Sequence, residues 1–213
     1  MLIACWSVKG GSGTTVVAAS LAVILARSMP GGALAVDLAG DLPAAFGVPE
    51  PTGPGVTDWA SVPDAGADSL CRLEAEVRPG LRLITTGTGR LDADGADRLS
   101  TALAGDRHVV VDCGSGGDRC AVALAASAAL SLLVLRPCYL ALRRALAAPI
   151  RPSGVILVSE PGRSLGRHDI EDVLGVPVRA DVAWDPAVAR AVDAGLLAAR
   201  VPRTLERALR RAA

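Results

Sequence analysis

A chain of 213 residues, 51% of them apolar, is long enough to bury one α/β core and too short for two of comfortable size. Its 22 basic and 22 acidic side chains cancel to a formal charge of zero, which excludes the global field that drives non-specific binding to nucleic acid or anionic membrane. The five cysteines, Cys5, Cys71, Cys113, Cys120 and Cys138, lack paired C-x-x-C spacing, so they exclude a disulfide framework or zinc site and read as reduced, mostly buried thiols.

The N-terminus enters the apolar run Leu2 to Val8 directly, without the basic region, apolar core and cleavage site of a signal peptide, and a cytoplasmic location is expected. Lys9-Gly10-Gly11-Ser12-Gly13-Thr14-Thr15 follows, then the Ala-rich helical stretch Val16 to Arg27. Strand, glycine loop and helix in that order suit phosphate capture: glycines let several N–H groups turn inward, and the positive end of the helix faces the same spot. A triphosphate is the natural guest. Ala33 to Asp37 reads as a second strand ending in an acid, its carboxyl end open to a ligand crevice.

From Pro49 to Pro79 the chain turns to Pro, Gly and Asp with scattered hydrophobics, the pattern of a loop with short helical turns packed across one edge. Leu81 to Thr85 and His108 to Asp112 are strands separated by helical spacing over Asp94 to Leu103. The longest apolar run, Cys120 to Leu135, falls short of a membrane span and reads as a buried helix turning into a buried strand. Leu130 to Arg136 and Gly154 to Ser159 are further strands, with helical segments at Cys138 to Ala147, Asp169 to Leu174, Pro186 to Ala194 and Arg203 to Ala212. Such alternation predicts a doubly wound, mostly parallel sheet with helices on both faces, one domain over residues 1–213, and a site at the carboxyl ends of the strands.

The glycine loop departs from the common pattern G-x-x-x-x-G-K-[ST], because Thr14 stands where the lysine belongs and the lysine comes early, at Lys9. Lys9 is the only lysine in the chain. Lys-Gly-Gly-x-Gly followed by a hydroxyl residue resembles the deviant Walker A loop of MinD/ParA-type ATPases. The resemblance extends along the chain: Asp37 to Gly47 is similar to the family's segment in which a strand ends in Asp-x-Asp, and Val109 to Gly114 is similar to its Walker B strand. Pro137 to Ala145, Leu174 to Val178, Trp184-Asp185-Pro186 and Ala191 to Gly195 follow its later pattern.

The resemblance implies a P-loop fold that binds ATP and Mg2+. Its phosphate-binding residues would be Lys9, Gly10, Gly11, Ser12, Gly13, Thr14 and Thr15, together with Asp112 and Gly114. Thr15 would touch the magnesium directly and Asp112 would orient it through water, since a hard cation takes oxygen ligands and keeps several waters. Lys9, Asp37 and Asp41 fall at the catalytic positions, and Gly114 to Gly117 at the turn that senses the terminal phosphate. Lys9 would reach across a sandwich homodimer to the partner's phosphate, or supply in cis the charge missing at Thr14.

Two departures bear on turnover. Thr14 removes a lysine contact, at a cost of about 1.5 to 3 kcal/mol or roughly ten- to a hundred-and-fifty-fold in affinity. Ala39 replaces the second acid of Asp-x-Asp, which in hydrolysing relatives positions the attacking water; Asp41 substitutes only if the loop is re-routed. Binding survives such losses better than phosphoryl transfer, so slow or absent hydrolysis is expected. Loss of the loop lysine with a small residue before the hydroxyl is most similar to TadZ/CpaE-type proteins. That implies partners in a Tad-type pilus or secretion system or a cell-polarity system.

Two alternatives stand beside that reading, an active partitioning or division-site ATPase using DNA or membrane, and a nucleotide-free interaction module. For the membrane, Pro202 to Ala213 carries Arg203, Arg207, Arg210 and Arg211 with Leu205 and Leu209 spaced i, i+4, either a basic amphipathic helix placing the chain peripherally at the inner membrane or a surface helix with solvated arginines. For DNA, Arg143, Arg144 and Arg151 are the candidates. Family members read adenine with an Asn after a late strand, where Val158-Ser159-Glu160-Pro161 stands here. His108 and His168 are far apart and no G-x-S-x-G occurs, so no hydrolase triad is expected.

Overall fold

The computed structural model describes residues 1–49, 52–115 and 119–212. In chain order the elements are β1 (Leu2–Ser7), α1 (Thr14–Ser28), β2 (Ala33–Asp37), α2 (Leu42–Phe46), α3 (Val56–Ala60), α4 (Ala67–Cys71), β3 (Ala75–Arg78), β4 (Leu81–Ile84) and α5 (Ala93–Ala102). There follow β5 (His108–Ser115), α6 (Arg119–Ser127), β6 (Leu130–Leu135), α7 (Tyr139–Leu146), β7 (Gly154–Ser159), α8 (Arg167–Leu174), β8 (Val178–Ala183), α9 (Pro186–Asp193) and α10 (Arg203–Leu209).

The strands form one sheet in the order β3-β4-β2-β5-β1-β6-β7-β8. Every neighbouring pair is parallel except β3 with β4. The doubly wound, mostly parallel sheet expected from the sequence is therefore the architecture observed. Two strands escape the sequence reading. β3 is a short, largely exposed antiparallel edge inside the Pro/Gly/Asp-rich stretch. β8 alternates buried and exposed residues along the opposite edge, pairing only with β7. β5 also runs past Asp112 to Ser115.

Alternation along β1 divides the core between the two faces. Ile3 and Cys5 join one apolar cluster with α1, α2 and the leucines of α10, while Leu2, Ala4 and Trp6 join the other with residues of α3 to α8. α1 is buried on nearly all sides from Val17 to Leu25, which its small residues permit. Close approach of two glycines brings α2 to the end of α9, since a Cβ on Gly47 or Gly195 would strike the other's backbone.

Leu205, Leu209 and Ala212 of the C-terminal segment lie in the core with 0–1% exposure, and the arginines Arg203, Arg207, Arg210 and Arg211 line an outer hollow. Its apolar face is thus already covered, in agreement with the solvated-surface reading of residues 202–213; Ala213 lies outside the described residues. Among the described residues no helix is long and apolar enough to cross a membrane. The cysteines correct the reading of mostly buried thiols: Cys5 and Cys113 are buried, Cys71 is exposed, and Cys120 and Cys138 are partly covered.

Candidate phosphate-binding site

The loop between β1 and α1 is folded by its own side chains. Ser7 and Ser12 each donate a hydroxyl hydrogen bond of 3.0 Å to the Lys9 carbonyl, and Ser7 makes a longer one of 3.4 Å to the Gly114 carbonyl. Gly11 (φ 74°) and Gly13 (φ 90°) are left-handed, a conformation that costs an L-residue roughly 1–2 kcal/mol. A Cβ on Gly10, Gly11 or Gly13 would meet nothing within 4 Å, so it is conformation that demands glycine at 11 and 13 while the space beside them stays open. Gly13 caps α1 without a side-chain hydrogen bond, and the first turn contains no acid. The first-turn N–H groups and the helix dipole are left for an anion.

Replacing Gly13 by Ala should therefore destabilise the chain by about 1–2 kcal/mol and abolish triphosphate binding, measured by thermal melts and calorimetric titration. Wild-type affinity in that variant would show that the loop geometry is not what holds phosphate.

Behind the loop lies a cavity of 420 Å³ lined by Ser7, Gly10 to Thr15, Leu38, Ala39, Asp41, Cys113, Gly114, Ser115 and Ala121. Of the residues expected to bind or act on a nucleotide, Gly10, Gly11, Ser12, Gly13, Thr14, Thr15, Asp41 and Gly114 thus meet in one place. No Lys or Arg side chain is among the described lining residues. Thr14 is almost fully buried where the lysine was expected. Lys9 is half-buried beside the cavity, and Gly116 and Gly117 of the expected phosphate-sensing turn lie outside the described residues.

Asp37 and Asp112 are register partners on β2 and β5, and both are fully buried. Their surroundings divide their roles. Asp37 accepts hydrogen bonds from the N–H groups of Ala39, Gly40 and Leu42 at 3.0, 2.7 and 3.0 Å, wrapping the following turn around its carboxylate. Burial still raises its pKa, against those three hydrogen bonds. The wrapped turn brings Asp41 to the cavity wall beside Ala39, in the cavity shared with the glycine loop.

One oxygen of Asp112 accepts a 3.0 Å hydrogen bond from the Gly114 N–H; the other is buried beside the Thr15 hydroxyl, with no well-formed hydrogen bond among the described residues. Burial pushes its pKa up to about 6; the Thr15 hydroxyl and the Gly114 N–H oppose the shift, and the charges of Asp37 and Asp41 add to it. An unpaired buried carboxylate oxygen next to a hydroxyl at the foot of a phosphate cradle suits a hard cation. The described residues contain no cluster of three or more His, Cys, Asp or Glu able to hold a metal, so Thr15 and Asp112 fit Mg2+ only as partial ligands to an ion that arrives with phosphate and water.

A second cavity, of 190 Å³, opens on the other side of the loop between Gly11 to Gly13, Val16, Val17 and Val158 on one hand and Val182, Trp184, Val188 and Val192 on the other. Arg136 borders it, paired to Glu160 at 2.8 Å, and Arg163 holds the same carboxylate. Glu160 is kept below the usual carboxylate range chiefly by that Arg163 hydrogen bond, then by the charges of Arg136, Arg163 and Lys9. The sequence reading did not single out Arg136; its position at the carboxyl end of β6, next to β1, was the available signal. Of the arginines considered for DNA, Arg143 and Arg144 are exposed on α7, whereas Arg151 donates to the Gly175 carbonyl at 2.7 Å.

No protein-family model and no curated protein matches the sequence. Solved structures do match in shape. A ParA family ATPase from Chlorobium tepidum TLS is 21% identical with a TM-score of 0.77, over 98% of this chain and 96% of that one. The cell division ATPase MinD of Pyrococcus furiosus is 21% identical with a TM-score of 0.75, over 99% and 95% of the two chains. The septum site-determining protein MinD of Pyrococcus horikoshii OT3, solved in complex with Mg-ADP, is 22% identical with a TM-score of 0.73, over 99% and 93%. From β1 through α10, this chain has the fold of the MinD/ParA-type ATPases.

Proposed function

We propose that the chain is a single-domain, nucleotide-dependent switch or scaffold that binds ATP with Mg2+, dimerises on it, and turns it over slowly or not at all. The observation that carries this reading is the pair of left-handed glycines at the uncapped N-terminus of α1, with the buried Asp112 carboxylate beside Thr15 of that helix. Phosphates would lie against the loop N–H groups, and Thr15 and Asp112 would hold Mg2+ there. The nucleoside would extend into the apolar cavity beside Val16 and Trp184. A bound Mg2+ neutralises phosphate charge; this chain's residues hold the loop, orient the carboxylates and cover the site.

Slow turnover follows from what the site lacks. Among the described lining residues no basic side chain is present to stabilise charge on a transferring phosphoryl group, and the Ala39 side chain offers no oxygen to orient water. Lys9, outside that lining, completes the charge across a homodimer or in cis. Within this reading, positioning a Tad-type pilus or secretion assembly is the role that the loop pattern favours, with the chain cytoplasmic or peripheral at the inner membrane. A second reading, an active partitioning ATPase, gains support from Asp41, whose presence at the cavity wall puts a carboxylate near the position vacated at Ala39.

Phosphate release separates the two. The first reading expects turnover in purified protein at the limit of detection. Robust release that disappears in Thr15→Ala, Asp112→Asn and Asp41→Asn would overturn it in favour of the second. Lys9→Ala decides the role of the lysine: cross-dimer action leaves monomer binding intact and removes dimerisation, whereas equal weakening of binding in a monomeric variant makes the action cis.

A further inference from the structure

α7 presents an apolar face that its own molecule leaves uncovered. Ala141, Leu142 and Ala145 bury one side of the helix, while Tyr139 is 75% exposed, Leu146 61% and Leu140 48%, with Arg143 and Arg144 exposed among them. Side chains three and four residues apart share a helix face, so Tyr139, Arg143 and Leu146 stand together with Leu140 and Arg144 alongside. Neither arginine has an ion pair among the described residues. Of the acids on neighbouring α8, Asp169 accepts from the Gly166 N–H at 2.7 Å, Glu171 accepts from the Val178 N–H at 2.8 Å, and Asp172 is exposed.

The other end of the same sheet face carries the complement. Between α3 and α4 lies an open groove of 630 Å³ lined by Trp59, Val62, Leu73, Asp64 and Asp68 among others. Trp59 is buried, and its Nε1–H is held by the Gly66 carbonyl at 3.1 Å and the Ser69 hydroxyl at 3.0 Å, so its indole is a fixed wall. Val62 is 53% exposed. Asp58, also in the lining, is occupied by the N–H groups of Gly55 and Thr88, and Arg72 turns its Nε to the Asp68 carbonyl. The carboxylates of Asp64 and Asp68 have no cation partner among the described residues.

We propose that α7 of one copy of this chain docks in the α3–α4 groove of another, apolar centre on apolar centre, with Arg143 and Arg144 meeting Asp64 and Asp68. Unpaired charges of opposite sign around each apolar patch select this occupant over an uncharged one. The two surfaces of one molecule cannot meet. α3 starts on the residues that follow β4, its Val56 N–H bonded to the Thr85 carbonyl, whereas α7 follows β6, four strand spacings or about 19 Å away across the sheet. Because two different patches meet, each added copy leaves one α7 and one groove open, and the assembly grows head to tail rather than closing at two. Neither the phosphate loop nor Lys9 takes part, so the contact stands apart from the nucleotide reading.

The test follows mass by sedimentation and light scattering in EDTA, without nucleotide. An interface centred on one helix face belongs to the small, weak class, so the unaltered chain should gain mass steadily from about 10 to about 500 µM without levelling at a dimer. The gain should shrink in roughly 0.5 M salt. Two double variants on exposed positions carry the decision, Arg143→Glu with Arg144→Glu and Asp64→Arg with Asp68→Arg, their folding checked by thermal melts. Each alone should associate at least roughly tenfold more weakly, since like charges then face each other, and an equimolar mixture of the two should regain the association. Tyr139→Ser should weaken it without altering the salt dependence. A constant monomer mass in the unaltered chain, a mass that levels at a dimer, or double variants that fail to restore each other would overturn the proposal. So would an unassociated chain whose Arg143 and Arg144 instead hold a DNA duplex or an anionic vesicle, which would give the α7 face to another occupant.

Discussion

Replacing Asp112 by Asn should stabilise the ligand-free protein and destroy Mg2+-dependent nucleotide binding. The carboxyl's folded pKa is raised from 3.8 to about 6, chiefly by burial. A raised acid contributes stability below its unfolded pKa and loses it as pH rises through the folded value. At neutral pH the fold therefore carries a charged, half-satisfied carboxylate at a cost of about 3 kcal/mol, because each tenfold weakening of an acid corresponds to about 1.4 kcal/mol. Asn keeps the acceptor for the Gly114 N–H and offers an N–H₂ at the unpaired position beside Thr15. Thermal melts should show a gain of about 10 °C near pH 7.5, shrinking by roughly half near pH 5, where the folded carboxyl is largely protonated. A gain independent of pH would mean that ionisation of Asp112 is not the cause.

The second large effect is expected at the other end of the chain. Leu209 is 1% exposed and packs in the cluster shared with α1. Leu209→Ala should cost about 2–5 kcal/mol, the range for a cavity left by a buried leucine. A membrane-inserting helix would show the opposite pattern, with little loss of stability in solution and a clear loss of liposome co-sedimentation. Deleting residues 202–213 would strip cover from the sheet, so single substitutions test the point more cleanly than truncation.

The contrast between these ends shows what sequence exposes. The loop from Lys9 to Thr15 was legible as a tight strand-to-helix turn because such a turn needs glycine where φ is positive, and that demand is written in residue type. β1, β2, β5, β6 and β7 were legible because strands buried on both faces become continuous apolar runs. β3 was not legible because Ala75 to Arg78 has no apolar run, and its pairing with β4 is set by the turn at Gly80. β8 does show the period of two, with Val178, Ala180 and Val182 buried and Arg179 and Asp181 exposed, but it has no continuous apolar run of the kind that marks the other strands. In the site, Asp37 and Asp112 looked alike as acids at strand ends. Three backbone N–H groups satisfy one and a single N–H the other, a difference that depends on how each following turn folds back. That Arg136 and Trp184 border one cavity shows only in the fold, because the cavity is assembled from β6, β8 and the phosphate loop, far apart in sequence.

On the proposed reading this fold binds a magnesium nucleotide in a cavity whose described lining residues include no Lys or Arg. Calorimetric titration of the full chain with ATP and with ADP, each with Mg2+ and again with EDTA, tests it most directly while light scattering follows mass. Saturable ATP binding that disappears with EDTA and is accompanied by a doubling of mass is the expected result. No heat at millimolar ATP with Mg2+ present would contradict it, and would make Thr14 and Ala39 the marks of a site that has lost its ligand.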